Sequence, residues 1–333
     1  MGLPVQSEIL SLDYVGWTLP SIGTIDASAN VNSLGLDIVG WTLPRLGHPH
    51  GGAATSDPTN IIYIKTGASM LAIDTRDAIV SCLAQGTQAE EIAGWKALQH
   101  WDTNIPVIFR SMAQRKTVNM CEYQKRPYFY IDTGYIGNLN KKKHWHRVVP
   151  NGMQHSQPRF DLPSDRFDNC IDSQDIRFKG WKKDGSAILL VTPSGKPCSF
   201  YGIDRDEWIE STVAEIKKYT DREVIIRNKG LRRERVRSHS IYTQFEEDNI
   251  FAVVTYNSIA ATEAIGYGIP CFTLAPNAAD FACGTDLSSI ETPLYVEEEK
   301  VIGWQNWLGY CQFNPQEMVA GTVLPMLREY GIK

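Results

Sequence analysis

The sequence predicts an α/β protein with two units of parallel strands and helices, preceded by an irregular N-terminal arm. Short apolar runs, such as residues 187–191 and 251–254, are typical of buried parallel strands. Stretches with helical spacing or good helix-forming residues separate these runs. The length of 333 residues is sufficient for two domains. We therefore expect an arm at 1–58, a first domain at 59–175 and a second domain at 176–333.

The composition is that of an ordinary globular protein and excludes several classes. The net charge is −5, which excludes a molecule that is basic throughout and binds nucleic acid on that account. The seven cysteines are scattered and form no CxxC, so we expect neither a disulfide framework nor a zinc site, and a reducing cytoplasm fits. No apolar run approaches 18 residues and no signal peptide is evident, so we expect no membrane segment.

The arm contains an internal repeat. Residues 12–20 read LDYVGWTLP, and residues 36–44 read LDIVGWTLP, beginning 24 residues later. Two copies are too few for a free-standing solenoid. Two interpretations remain open. The arm packs on its own domain or on a symmetry mate, or the copies are docking peptides for a repeated partner such as a viral capsid or tail.

The first domain is predicted from alternating strands and helices. We expect strands at 61–64, 105–109 and 128–131, helices near 74–85 and 88–100, and a helix or loop at 115–125. Asp132 follows the third strand, where its carboxylate can face a cleft. A lysine run at 141–143 precedes His146, and is typical of a solvated face or of contact with phosphate groups. Residues 151–176, which include His155, are irregular and suit a crossing between domains.

The second domain begins with a strand at 187–191 and a polar loop at 192–196. This loop is not a Walker motif, but its N–H groups, Ser194 and Lys196 can bind an anion. A helix at 206–219 precedes a strand at 223–227. Arg227 and Lys229 lie at the end of that strand, where they can hold a diphosphate or form a basic surface loop.

Residues 251–276 form the most informative segment. An apolar strand at 251–254 is followed by a polar turn, a helix from Ile259 to Ile265, and a strand at 271–274. Gly266 and Gly268 are expected to end that helix. Ser258 lies at its N-cap and Glu263 about one turn later, at the kind of strand end where open α/β sheets bind ligands. A short helix at 240–247 precedes this segment, and two terminal helices follow at 297–309 and 315–329.

This pattern resembles the donor-nucleotide half of GT-B glycosyltransferases. It is most similar to capsule-polysaccharide transferases and to GT-B-like bacteriophage proteins. The resemblance extends from about residue 60 to the C-terminus and is carried by short stretches in a fixed order, at 130–135, 208–222, 227–229, 254–264, 290–293 and 311–313. It implies two Rossmann-like domains that face a cleft. The N-terminal repeat lies outside the resemblance.

The resemblance also implies roles for single residues. Ser258 and Glu263 would hold the nucleotide of a sugar donor. Arg227, Lys229 and Lys196, with the Ser194 loop, would face its diphosphate. Asp132 would deprotonate the acceptor hydroxyl, with His146 and His155 as the next candidates. GT-B enzymes can act without a bound metal, so we expect no metal and no cofactor besides the nucleotide-sugar donor.

Three functions remain open. The first is a phage glycosyltransferase in the host cytoplasm that acts on a glycan or on hydroxymethylated DNA, although the acidic net charge argues against duplex DNA. The second is a virion-associated structural protein that keeps the transferase fold and is anchored by its repeat. The third is a nucleotide-sugar epimerase.

Overall fold

The computed structural model describes residues 70–92, 103–136, 145–171, 176–228 and 240–333. Within these ranges strands and helices alternate and form two sheets that are largely parallel. The predicted mixed α/β architecture is therefore confirmed. The N-terminal repeat, the strand predicted at 61–64, the lysine run at 141–143 and Lys229 lie outside the described residues.

The first sheet has six strands in the order β2-β1-β3-β4-β5-β11. Its strands are β1 (Leu71–Ile73), β2 (Glu90–Ile92), β3 (Val107–Arg110), β4 (Tyr128–Thr133), β5 (His146–Pro150) and β11 (Gln312–Phe313). The first four are parallel, whereas β5 is antiparallel to β4, and β11 to β5. Helix α1 (Ala78–Thr87) follows β1, and α2 (Arg115–Gln124) follows β3.

The prediction of a helix at 88–100 is wrong for residues 88–92, which are the part of this range that the structure describes. Gln88 has a left-handed backbone that ends α1, and Glu90–Ile92 then pair in parallel register with Leu71–Ile73. Glutamate favours helix in isolation, but pairing with a buried strand overrides that weak preference. Residues 93–102 lie outside the described part of the chain.

The second sheet has five parallel strands in the order β10-β9-β8-β6-β7. A short helix, α3 (Asp165–Cys170), lies in the crossing segment before it. The strands are β6 (Ala187–Val191), β7 (Glu223–Arg227), β8 (Ile250–Thr255), β9 (Cys271–Thr273) and β10 (Cys283–Gly284). The helices between them are α4 (Gly195–Tyr201), α5 (Arg205–Ile216), α6 (Ile241–Glu247) and α7 (Ala260–Tyr267).

The apolar runs account for this sheet. Every residue of β6 and β8 is buried, as expected for central parallel strands covered on both faces. Helix α7 continues through Gly266, contrary to the prediction that this glycine helps to end it. It ends at Gly268, whose φ of 90° is the left-handed conformation that glycine adopts without strain.

The C-terminal segment returns to the first sheet. Helix α8 (Glu298–Tyr310) has Trp304 and Trp307 fully buried, and the Trp304 indole donates to the Ala278 carbonyl at 2.9 Å. Strand β11 then adds to β5, and α9 (Pro315–Val319) packs against α1. The chain ends with α10 (Val323–Glu329). The helix predicted at 315–329 is therefore two helices, separated by Gly321 with a φ of 74°.

Candidate functional site

The second sheet reverses its strand order between β6 and β8, and open α/β sheets bind ligands at such a switch point. β6 pairs with β7 on one side and with β8 on the other. Beyond the carboxyl ends of these strands the chain enters α4 and α7. The N-terminus of α7 thus lies beside this β6/β8 crevice, where its N–H groups favour an anionic ligand. Ser194, which precedes α4, makes no capping hydrogen bond through its side chain.

Arg227 and Glu263 lie close together at this edge. Arg227 ends β7, and its guanidinium donates a hydrogen bond to the Gln244 side-chain oxygen. Burial lowers the pKa of Arg227, and the negative charge of nearby Glu263 opposes that shift. Glu263 lies in the first turn of α7 and is half-buried. The structure therefore brings together one cation and one carboxylate that the sequence assigned to nucleotide binding.

Ser258 is held by residues that the sequence analysis did not select. Its hydroxyl accepts from the Ala260 N–H at 3.3 Å, but the N-cap of α7 is Ile259, so the prediction of Ser258 as N-cap is wrong by one residue. The Asn277 side chain donates to the Ser258 carbonyl at 2.9 Å. Asp280 accepts from the Asn277 N–H at 3.0 Å and from the Thr273 hydroxyl at 2.9 Å. The polar loop after β9 therefore fixes Ser258, and that loop was visible in the sequence as a polar stretch without an assigned role.

Lys196 points towards the first sheet. Its ammonium group donates to the Ser111 hydroxyl at 2.7 Å. Ser111 follows β3 and has a φ of 77°, which is uncommon for a residue other than glycine, and strained backbone of this kind clusters at functional sites. Arg115 adds a second link by donating to the Ser199 carbonyl at 3.2 Å. Because β3 borders the strand-order reversal of the first sheet, these contacts join the switch points of the two sheets.

Asp132 lies at the end of β4, close enough to Lys196 for the charge of that lysine to act on it. The Tyr130 hydroxyl donates to it at 2.6 Å, the Thr133 N–H at 2.8 Å, and Arg147 lies 3.5 Å away. Burial alone would raise the pKa of Asp132, but Arg147, Tyr130, Thr133 and Lys196 outweigh burial and lower it. With 28% of its side chain exposed, Asp132 is an ionised carboxylate that solvent can reach.

The two histidines are placed differently from Asp132. His146 lies on β5 between Thr133 and Phe313 and is 6% exposed. His155 is completely buried, with its ring packed on Tyr135 and Trp307. Burial and the charge of Arg147 lower the pKa of His155 to about 3, so this histidine is neutral. A general base must reach the proton that it removes, and burial keeps both rings away from any acceptor in this conformation.

Arg147 is the main residue that the sequence analysis missed. It contacts the Asp132 carboxylate, donates to the Thr133 carbonyl at 2.9 Å and lies 5.2 Å from the centroid of the Tyr135 ring. A single arginine near the start of a strand gives no signal by itself, because its partner carboxylate lies on the neighbouring strand. The sequence analysis also missed Ser111, because only its backbone conformation distinguishes this residue.

No group of three or more His, Cys, Asp or Glu side chains in the described residues is arranged to hold a metal ion. Asp204-Arg205-Asp206 does fit the DxD pattern of metal-dependent transferases. Asp204 is however the N-cap of α5, accepting from the Asp206 and Glu207 N–H groups at 3.0 Å each. Among the described helices, none is both long and apolar enough to cross a bilayer.

Comparison with known proteins found similarities among solved structures. No family model matches the sequence, and no curated protein matches it. Two solved structures from Thermosulfurimonas dismutans are similar to it. One is KpsC, beta Kdo 2,4 transferase, with 11% identity and a TM-score of 0.40, covering 71% of this chain and 89% of that one. The other is KpsC, beta Kdo 2,7 transferase, with 10% identity and a TM-score of 0.44, covering 77% and 98%.

Proposed function

We propose that the protein binds a nucleotide-sugar in the β6/β8 crevice and transfers the sugar to an acceptor hydroxyl held by the first sheet. In this proposal the two sheets are the donor and acceptor halves of a GT-B-like enzyme. The observation that carries it is the contact between the two switch points. Lys196, which follows β6, reaches Ser111 and lowers the pKa of Asp132. A donor bound beside Lys196 would lie next to the carboxylate that accepts the proton.

The roles follow from charge and position. Arg227 and Lys196, with Lys229, would offset the negative charge that grows on the nucleoside diphosphate as it leaves. Glu263 would accept a hydrogen bond from a ribose hydroxyl, and Ser258 would donate one to the ribose. Asp132 is ionised at neutral pH and can accept the acceptor's proton, although its lowered pKa makes it a weaker base than an ordinary aspartate. We propose a glycan as the acceptor, and hydroxymethylated DNA as the alternative.

A nucleotide-binding experiment tests the donor site. The thermal unfolding midpoint of the full chain is measured with a panel of nucleoside diphosphates and nucleotide sugars. A ligand that binds only the folded state stabilises it, by about 2.7 kcal/mol at a hundredfold excess over Kd, and therefore raises the midpoint. We expect one nucleotide class to give this shift, Glu263→Gln to abolish it, and Glu210→Gln, an exposed change on α5, to leave it intact.

The contrary result supports the second candidate, a virion-associated structural protein. One observation favours it, because α4 already fills part of the space between the sheets. Phe200 of α4 is 7% exposed and packs with the apolar residues of the first sheet, while Lys196 is already hydrogen-bonded. If the folded protein responds to no nucleotide, the crevice is closed by its own helix. The N-terminal repeat then becomes the candidate binding element.

A further inference from the structure

A second pocket lies at the amino ends of the strands of the second sheet, on the side opposite the β6/β8 crevice. It has a volume of about 620 Å³, within the range of small-molecule sites, and is lined by residues of loop 177–183 with Glu246, Tyr267 and Glu298. The loop precedes β6, Glu246 precedes β8, and Tyr267 precedes β9. These residues therefore lie at the amino ends of the strands. The five residues of β6 separate the two sites by roughly 16 Å, at about 3.3 Å per residue.

The wall of this basic pocket is fixed by hydrogen bonds. The Phe178 N–H donates to the Gln305 side chain at 2.9 Å, the Trp181 indole to the Val296 carbonyl at 2.8 Å, and the Lys182 N–H to the Gly268 carbonyl at 2.7 Å. Gly180 has a φ of 105°, and a Cβ at Gly268 would lie only 2.1 Å from the Gly180 carbonyl oxygen. The loop is therefore held against the end of α7 by close contacts that side chains would prevent.

The pocket combines three kinds of side chain. Its cations are Arg177, Lys179, Lys182 and Lys183, its carboxylates are Glu246 and Glu298, and its aromatic residues are Trp181 and Tyr267. Lys182 lies 4.3 Å from the centroid of the Tyr267 ring and forms an ion pair with Glu246, which also accepts from the Tyr267 hydroxyl. Lys183 is exposed and lies over the Tyr295 ring.

This combination discriminates between classes of anion. A phosphate backbone carries only acceptor oxygens, so it can pair with the cations but cannot donate a hydrogen bond to Glu246 or Glu298. A sugar acid carries both kinds of group. Its hydroxyls can donate to the glutamates, its carboxylate can pair with a lysine, and its C–H face can pack on an aromatic ring.

We propose that the basic pocket binds an anionic glycan, namely a run of carboxylate-bearing sugars, at a site separate from the β6/β8 crevice. If the proposed transferase function holds, on which this biological role rests, the bound segment is the part of the acceptor chain distant from the reacting end. The binding itself requires no transfer.

The test is a calorimetric titration of the full chain with a galacturonic acid hexamer. A neutral maltose-type hexamer and a short single-stranded oligothymidylate are titrated in parallel. We expect the uronate to bind at least roughly tenfold more tightly than either, because only it complements both lysines and glutamates. Lys183→Glu should weaken uronate binding by roughly tenfold or more, since it removes one cation and adds a like charge. Lys116→Glu makes the same charge change on the exposed face of α2 and should leave binding unaltered.

Three results would overturn the inference. These are the absence of uronate binding, equal uronate affinity in Lys183→Glu and the unmodified protein, or oligothymidylate binding that exceeds uronate binding. The last would assign the pocket to nucleic acid. Glu263→Gln is titrated with the uronate as well, and we expect no change. If the unmodified protein binds the uronate but no nucleotide, the transferase is refuted and the glycan pocket stands. If it binds a nucleotide but not the uronate, the glycan pocket is refuted and the transferase stands.

Discussion

Among the groups that lower the pKa of Asp132, Arg147 has the largest effect. Substitution of single side chains can test this pair. Arg147 is 9% exposed in its side chain, so its removal would leave Asp132 without its nearest cation in a partly buried position. Removing one partner of a buried pair typically costs about 3–5 kcal/mol, and partial exposure of Asp132 places this pair at or below the low end of that range.

We therefore expect Arg147→Met to lower the free energy of unfolding by about 2–3 kcal/mol in urea denaturation. Arg159→Met is the matched control. Arg159 pairs with Asp161 at the surface, with side-chain exposures of 39% and 67%, and such pairs contribute under about 1 kcal/mol. Equal effects of the two substitutions would show that burial does not strengthen the Asp132 pair.

The same pair gives a pH dependence with a definite sign. The pKa of Asp132 is lower in the folded protein than its ordinary value, so its ionised form stabilises the fold. This contribution is complete above the unfolded pKa of about 3.9 and is lost as the pH falls through the lower folded value. In Arg147→Met this acid-dependent part of the stability should shrink, whereas in Arg159→Met the part due to Asp132 should remain.

At this scale, prediction from the sequence succeeded where a residue's position on its own element was informative. Glu263, Arg227 and Asp132 were selected because each lies at a strand end or in a first helical turn, and the structure places each there. Ser258 was selected as the N-cap of α7, but it precedes the observed N-cap Ile259 by one residue. Arg147, Ser111 and Asn277 were missed because their importance comes from partners far along the chain. The roles proposed for all these residues stay predictions.

Helices are stabilised in part by their N-cap residues, and this contribution to the free energy of unfolding can be measured at α1. Asp77 accepts from the Ile79 N–H at 3.0 Å and the Val80 N–H at 3.4 Å, and Arg110 donates to both of its carboxylate oxygens, at 3.0 and 2.8 Å. Asp204 caps α5 in the same way, with no ion pair recorded for it among the described residues.

We expect Asp77→Ala to cost about 2 kcal/mol and Asp204→Ala about 1 kcal/mol in denaturant unfolding. A lost N-cap costs typically about 1 kcal/mol, and a partly exposed ion pair adds up to about 1 kcal/mol. The difference between the two substitutions measures what the Arg110 ion pair, which links the N-cap of α1 to the end of β3, adds to stability. If Asp77→Ala costs no more than Asp204→Ala, Arg110 contributes nothing to stability.

Strands and helices of the second sheet were predicted well because their signals are local. The strands at 187–191, 223–227 and 271–273 carry apolar runs, and the helix predicted at 206–219 occurs at Arg205–Ile216. The first sheet was harder to predict. β1 has only three residues, and β2 begins with two exposed glutamates, so neither carries a pattern without its partner. The order of the strands follows from pairing between distant segments, which local patterns do not encode.

At the scale of the whole molecule, α1 of the first sheet packs closely against α9 in the C-terminal segment. A Cβ at Gly86 of α1 would lie 1.8 Å from the Met318 carbonyl oxygen of α9. Replacing glycine by alanine inside a helix usually stabilises it by about 1 kcal/mol. Here the contact is with backbone, so α1 and α9 would have to separate.

We expect Gly86→Ala to lower the free energy of unfolding by about 1–3 kcal/mol, the usual cost of overpacking. Gly195→Ala is the control, because a Cβ at Gly195 would meet no atom within 4 Å. Its effect should stay within about 0.5 kcal/mol. A stabilised Gly86→Ala would show that the C-terminal helices are not tightly fixed against α1.

The return of the chain to its first sheet bears on how the protein is synthesised. Gln312 and Phe313 pair with Arg147 and His146, so the outer strand of the first sheet comes from the end of the chain. While the ribosome makes the second sheet, β5 has one side without its partner, and an unpaired strand edge favours association with other chains. Ordering of that edge must await translation of residues 312–313, and pairing between segments so far apart in sequence is slow.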